Sequence, residues 1–173
     1  FKKAPETEKI VKSLKDNNNI YLVPAFTGLG APYWDANARG VLSGITRDTS
    51  PKEIIRATIE AVAYQTYDLF EAMKHDGLRP KIIKVDGGMV MNNWFSQFLS
   101  DIVDVKVLRP KVQETTALGA AFMAGLYLGV YKSLKDISKN WSLDNKFSPR
   151  MKNKNRTKLI KGWQKAIKRT LIS

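Results

Sequence analysis

The longest regular pattern in the chain lies between two breaks, Ser50-Pro51 and Gly77. Ser50, Pro51 and Glu53 supply an N-cap, a first-turn proline and an N3 acid. Ile54, Ile55, Thr58, Ala61, Val62, Gln65, Leu69 and Met73 then keep a helical period for about five turns, and Gly77 stops it. Ahead of this helix, residues 5–16 predict a short helix opening after Pro5, followed by the turn residues Asp16-Asn17-Asn18-Asn19. Ile20 to Val23 predict a strand closed by Pro24, and Val41 to Ile45 a second strand-like piece. Between them residues 25–40 form a long loop with Gly28, Gly30, Gly40 and the aromatics Phe26, Tyr33 and Trp34; loops of that length are functional or tightly packed.

Beyond Gly77 the period alternates. Lys81 to Asp86 predict a strand ending at Gly87-Gly88, a helix opens near Asn92 and runs to about Ile102, and Val105 to Leu108 predict a strand stopped by Pro110. A small-residue helix starts at Thr115 or Thr116 and runs through Gly129, a helical turn covers Asp136 to Asn140, and an amphipathic helix covers Lys152 to Ile172. Strand–helix–strand–helix over residues 81–129 predicts an α/β fold with a partly parallel sheet.

Composition adds limits. The 173 residues are 43% hydrophobic, enough for a real core in one domain or lobe. With no cysteine and one histidine, His75, thiolate chemistry is excluded and a zinc site is not expected. No apolar run approaches the roughly 20 residues of a membrane span, and a cytoplasmic setting is expected. The chain opens at Phe1 rather than Met, as a segment of a longer protein would. Net charge is +13, but residues 145–173 hold ten Lys or Arg and no acid, leaving +3 on residues 1–144. A balanced body with a basic tail argues against a nucleic-acid partner.

The sharpest chemical signal is Val85-Asp86-Gly87-Gly88-Met89-Val90-Met91-Asn92-Asn93. Two glycines after a strand let a flat group lie on bare backbone, and ligands of open α/β sheets bind beyond the strands' carboxyl ends. An ordinary tight turn would read the same way. Asn92 reads both as an N-cap and as an amide facing a purine edge. The small residues at 117, 119, 120, 121, 124 and 125 read as close helix packing rather than ligand contact. Asp35 and Arg39 read as an ion pair tying down their loop, Glu60 as a buried hydrogen-bonding group, and His75 as a helix-end residue. No Gly-x-x-x-x-Gly-Lys-Ser/Thr loop occurs, so the P-loop class is excluded within these residues.

The run Pro24 to Asp35 with Ala38-Arg39-Gly40 resembles the signature loop of glycerol kinases. Gly40 to Ile45, Glu53-Ile54 and Ala57 to Glu60 resemble the second signature of the wider FGGY carbohydrate kinases. Asp86-Gly87-Gly88 and Thr116 to Ala121 are similar to two further landmarks, and the likeness runs roughly from Asn19 to Phe147. Relatives acting on pentuloses or gluconate usually differ in the first run. The resemblance implies the C-terminal, nucleotide-side lobe of an actin-like ATPase (ribonuclease H-like) fold, with a mixed sheet flanked by helices. It divides into a lead-in over 1–19, a core over 20–147 and a basic terminal helix over 148–173. It implies phosphorylation of glycerol to glycerol 3-phosphate with ATP and Mg²⁺, and adenine contacts at Gly87, Gly88 and Asn92. Catalytic, metal and glycerol-binding residues fall outside this chain, so an N-terminal lobe is an expected partner and the chain alone is expected to be inactive. A homo-oligomer is left open. The alternatives are the same lobe of a related polyol or sugar kinase, and a non-catalytic actin-like module with a polyanion-binding tail.

Overall fold

The computed structural model describes residues 6–171. Within them the chain runs α1 (Glu6–Ser13), β1 (Tyr21–Val23), β2 (Val41–Ser43), α2 (Pro51–His75), β3 (Ile82–Lys84), α3 (Asn93–Val103), β4 (Lys106–Pro110), α4 (Thr115–Tyr127), α5 (Leu134–Ser138), β5 (Leu143–Phe147) and α6 (Asn153–Thr170). The expected starts at Pro5 and end at Ile172 lie outside the described residues.

Local chemistry sets the boundaries. The Ser50 hydroxyl accepts the Lys52 N–H while Glu53 reaches back to the Ser50 N–H, so the capping box of α2 is complete. At its other end the Gly77 N–H donates to Lys74 O and the Leu78 N–H to Met73 O, with Gly77 at φ +84. That is a Schellman closure, which a glycine accepts without strain. In the turn before β1, Asn18 and Asn19 adopt φ values of 50 and 59, and Asp16 Oδ1 accepts the Asn18 N–H.

β1 and β2 pair antiparallel, with Leu22 opposite Leu42. β3 runs parallel to β4, and β4 pairs antiparallel with β5, giving the mixed sheet order β3-β4-β5. β5 has no counterpart in the sequence reading. Its residues Leu143-Asp144-Asn145-Lys146 are exposed and only Phe147 is buried, so no alternation marks it. α5 begins at Leu134 rather than Asp136 because the Ser133 hydroxyl caps the Asp136 N–H.

α2 is the spine. It packs on α1, α3 and β1, and α6 lies across β1 and β2. The face of α2 turned inward carries Arg56, Ala57, Glu60, Ala63 and Tyr64. Ile54, Val62, Leu69 and Met73, which gave the helix its apolar period, are each more than a third exposed. The core gathers Tyr64 between Phe98, edge-on at 5.7 Å, and Trp163, stacked at 5.3 Å.

Glu60 is the polar centre of that core, as expected. Its carboxylate accepts from Arg56 Nε at 2.7 Å, Asn17 Nδ2 at 3.1 Å and the Tyr64 hydroxyl at 2.9 Å. Burial pushes its pKa up, while the Arg56 charge pulls it back. Arg56 also donates to Leu14 O, which ties the turn after α1 to α2.

α4 departs from expectation. Its small residues predicted close packing, yet Ala117, Ala120, Ala121 and Ala124 are exposed and nothing lies within 4 Å of a Cβ built on Gly119. Only Gly125 is crowded, by the Tyr131 ring. The surface that would use this narrow profile is not found among the described residues.

Candidate functional site

At the end of β3, Val85 N–H still bonds to Leu108 O, and the chain then turns through Asp86-Gly87-Gly88. Gly87 sits at φ +87, where a side chain would be strained. Gly88 has open space where a Cβ would stand. The backbone here is bare, as the sequence indicated. The connection to α3 differs, because Gly88–Met91 form a 3₁₀ turn before the α-helix starts at Asn93. The first free N–H groups of α3 are therefore not adjacent to the glycines.

Asn92 caps α3, its Oδ1 accepting the Phe95 N–H at 3.0 Å. Its Nδ2 donates to no protein group among the described residues. One amide thus holds the helix with its oxygen and leaves its NH₂ for another acceptor. Gly88, Met89, Met91 and Asn92 line a hollow of about 370 Å³ whose far wall is Ile59 of α2 with Thr7 and Glu8 of α1. Two thioethers, an isoleucine and exposed glycine backbone suit a flat aromatic ring.

A residue that sequence reasoning missed holds this turn in place. Arg109 of β4 is buried and donates to Val90 O at 2.7 Å, to Asn93 Oδ1 at 3.0 Å and to Asp144 Oδ2 at 2.7 Å. It fastens the 3₁₀ turn to β4 and β5 together. The available signal was positional: Arg109 follows Val107 by two and so falls on the buried face of the strand.

The long loop between β1 and β2 is packed on itself. Leu29 and Asp35 exchange backbone hydrogen bonds at 2.7 and 2.9 Å, and a Cβ at Gly28 would strike the Asp35 carbonyl. Asp35 and Arg39 do tie the loop down, but not to each other. Asp35 Oδ1 accepts the Asn37 and Ala38 N–H groups, and Arg39 donates to the Ala36 and Ala38 carbonyls. Both meet unpaired backbone within reach, which satisfies the loop directly. Tyr33 packs the loop against the core, beside Asp68 of α2. His75 is exposed at the end of α2.

Among the described residues no three or more His, Asp or Glu side chains form a group able to hold a metal ion. No helix of the described residues is long and apolar enough to cross a membrane.

The chain thus carries a bare glycine turn beyond a parallel strand, a hollow of about 370 Å³ beside it and a small-residue helix after the next strand. Residues 2–128 match the FGGY family of carbohydrate kinases, C-terminal domain, and the chain belongs to that family. Its relatives include glycerol kinase 1 of Pseudomonas aeruginosa, 54% identical over 166 residues, covering 96% of this chain and 34% of that protein. A glycerol kinase of Clostridium botulinum is 52% identical over 171 residues, covering 98% of this chain and 34% of its own. The chain therefore spans about a third of the length of the curated relatives it matches. Among solved structures it is similar to the Plasmodium falciparum glycerol kinase with ADP, with a TM-score of 0.86 at 35% identity, covering all of this chain and 35% of that one. A gluconate kinase from Lactobacillus acidophilus is similar at a TM-score of 0.75 and 26% identity, covering 95% of this chain and 33% of that one.

Proposed function

We propose that this chain forms the nucleotide side of a glycerol kinase and seats the adenine of ATP against Gly88 and Asn92, with Gly87 supporting the turn. The observation that carries the reading is the hollow beside Gly88, where bare backbone, Met89, Met91 and Ile59 offer apolar faces and the Asn92 NH₂ is left free. The identity to named glycerol kinases, above half over nearly the whole chain, supports glycerol as the acceptor.

In such an enzyme ATP, carried with Mg²⁺, supplies the phosphoryl group. What these residues contribute is position. The hollow excludes water from the ring's faces, the Asn92 amide selects its polar edge, and Arg109 keeps the 3₁₀ turn from moving under it. Phosphoryl transfer depends largely on positioning of this kind. The acceptor site and the proton acceptor belong to the length that relatives have beyond this chain. The uncovered faces of α2 and α4 are where that length would pack.

The test is a chimaera in which this chain replaces the matching third of Pseudomonas aeruginosa glycerol kinase 1. ATP-dependent formation of glycerol 3-phosphate is expected, with gluconate and xylulose left untouched. A folded chimaera that ignores glycerol would overturn the assignment.

A further inference from the structure

A second recess lies on another side of the molecule, between α6 and the β1–β2 hairpin. Its helix wall is made by Lys158, Lys161, Lys165 and Arg169, and its floor by Tyr21, Ser43 and Gly44, enclosing about 470 Å³. The four cations recur at three- and four-residue intervals, so they stand on successive turns of one face. No carboxylate lines the recess.

Lys12, Arg56, Lys74, Arg109, Lys139 and Arg156 each have a carboxylate within reach, and none of these six lines the recess. Among the described residues none of the four cations in the recess has one. Like charges at these intervals destabilise a helix, and only Arg169, in the last turn, is favoured by the helix dipole, so helix stability does not call for Lys158, Lys161 and Lys165. Arg169 is also held in place, Nη1 donating to Ser43 Oγ at 2.5 Å, so its guanidinium is fixed at the edge of the recess. The floor is close because Gly162 has no side chain, and any Cβ there would collide with the Tyr21 hydroxyl.

We propose that this recess binds a compact anion carrying two or three phosphate groups. Its volume falls in the range of small-ligand sites, and its donors are charged and hydroxylic. A groove for single-stranded nucleic acid interleaves exposed aromatics with its cations. Here the one aromatic in the lining, Tyr21, is buried, and the exposed Phe26 and Trp34 belong to the β1–β2 loop rather than to the lining.

The experiment titrates the whole chain with inorganic tripolyphosphate by calorimetry at low and at physiological salt. One saturable site is expected, with affinity falling steeply as salt rises. Lys161→Gln with Lys165→Gln should weaken it at least tenfold without lowering the melting temperature of the free protein. Ser43→Ala, which releases Arg169, should weaken it severalfold and serves if the double variant does not fold. Lys146→Gln with Lys152→Gln, away from the recess, should leave it unchanged. Gly88→Val should leave it unchanged as well, which separates this site from the nucleotide hollow. Equal affinity in the Lys161/Lys165 variant, or no saturable binding at low salt, would overturn the proposal. So would a DNA duplex that binds the same residues more tightly than tripolyphosphate.

Discussion

The indole Nε1 of Trp163 donates a 2.8 Å hydrogen bond to Asp68 Oδ2, both groups buried. The Tyr33 ring lies close enough to the same carboxylate to influence its proton. Asp68 thus joins three distant parts of the chain: the β1–β2 loop, α2 and the terminal helix. The basic tail is consequently part of the core, with its apolar stripe inward and its cations outward.

Replacing Trp163 by Ala should cost about 3–5 kcal/mol in unfolding free energy, from the lost aromatic burial and stacking on Tyr64. Trp163→Phe should cost less, about 1–3 kcal/mol, because it mainly strands the Asp68 carboxylate. Denaturant unfolding measures both. An unchanged midpoint for Trp163→Ala would mean that α6 is not docked as described.

Asp68 also makes a pH signature. Burial raises its pKa to about 6, against the opposing pull of the Trp163 hydrogen bond and the nearby Tyr33. Its pKa in the unfolded chain is about 3.9. Between those values the folded state holds the proton that the unfolded state has released. This group's contribution therefore falls as pH rises from about 4 to about 6 and is level above. Glu60, also raised, adds in the same direction. The difference between parent and Asp68→Asn isolates Asp68: the parent should lose stability relative to the variant across that window. Parallel curves would contradict the assignment.

Arg109→Met should free the 3₁₀ turn from β4 and β5 while touching no ligand. A loss of about 1–3 kcal/mol in stability is expected from the charged hydrogen bonds, together with faster amide hydrogen exchange at Val90 and Asn93. Exchange unaltered at both would show that the turn holds itself.

The chain by itself should form no glycerol 3-phosphate, since the acceptor site is proposed to lie in the length that relatives have beyond it. With Met123, Tyr127, Leu128 and Val130 more than half exposed around α4, it should also self-associate or bind a hydrophobic dye. Sedimentation and dye fluorescence check this. A strictly monomeric, dye-silent chain would mean that this surface is covered in solution.

Much of this was legible in the sequence, for identifiable reasons. Ser50-Pro51-Lys52-Glu53 and Gly77 bound α2 by local hydrogen bonding, which depends on neighbours alone. Gly87-Gly88 could be read as bare backbone for the same reason. What was hidden depends on distant partners. β5 is an edge strand with one buried residue, and its place is decided by β4. Arg109 looks like a surface cation until β5 and the 3₁₀ turn close over it. Ile54, Val62, Leu69 and Met73 of α2 and the alanines of α4 belong to regular patterns, yet these positions stay exposed. A pattern shows that a surface is to be covered, not which residues cover it.

The most direct measurement is a titration of the ¹⁵N-labelled chain with ADP, followed by NMR, which registers even weak binding. The account predicts saturable shifts at the Gly88 backbone amide and the Asn92 side-chain NH₂. Gly30 in the β1–β2 loop should stay unmoved, and Gly88→Val should abolish the response at Gly88 and Asn92, its side chain entering space that is open in the parent. Saturable shifts confined to other residues, or an undiminished response in Gly88→Val, would contradict it.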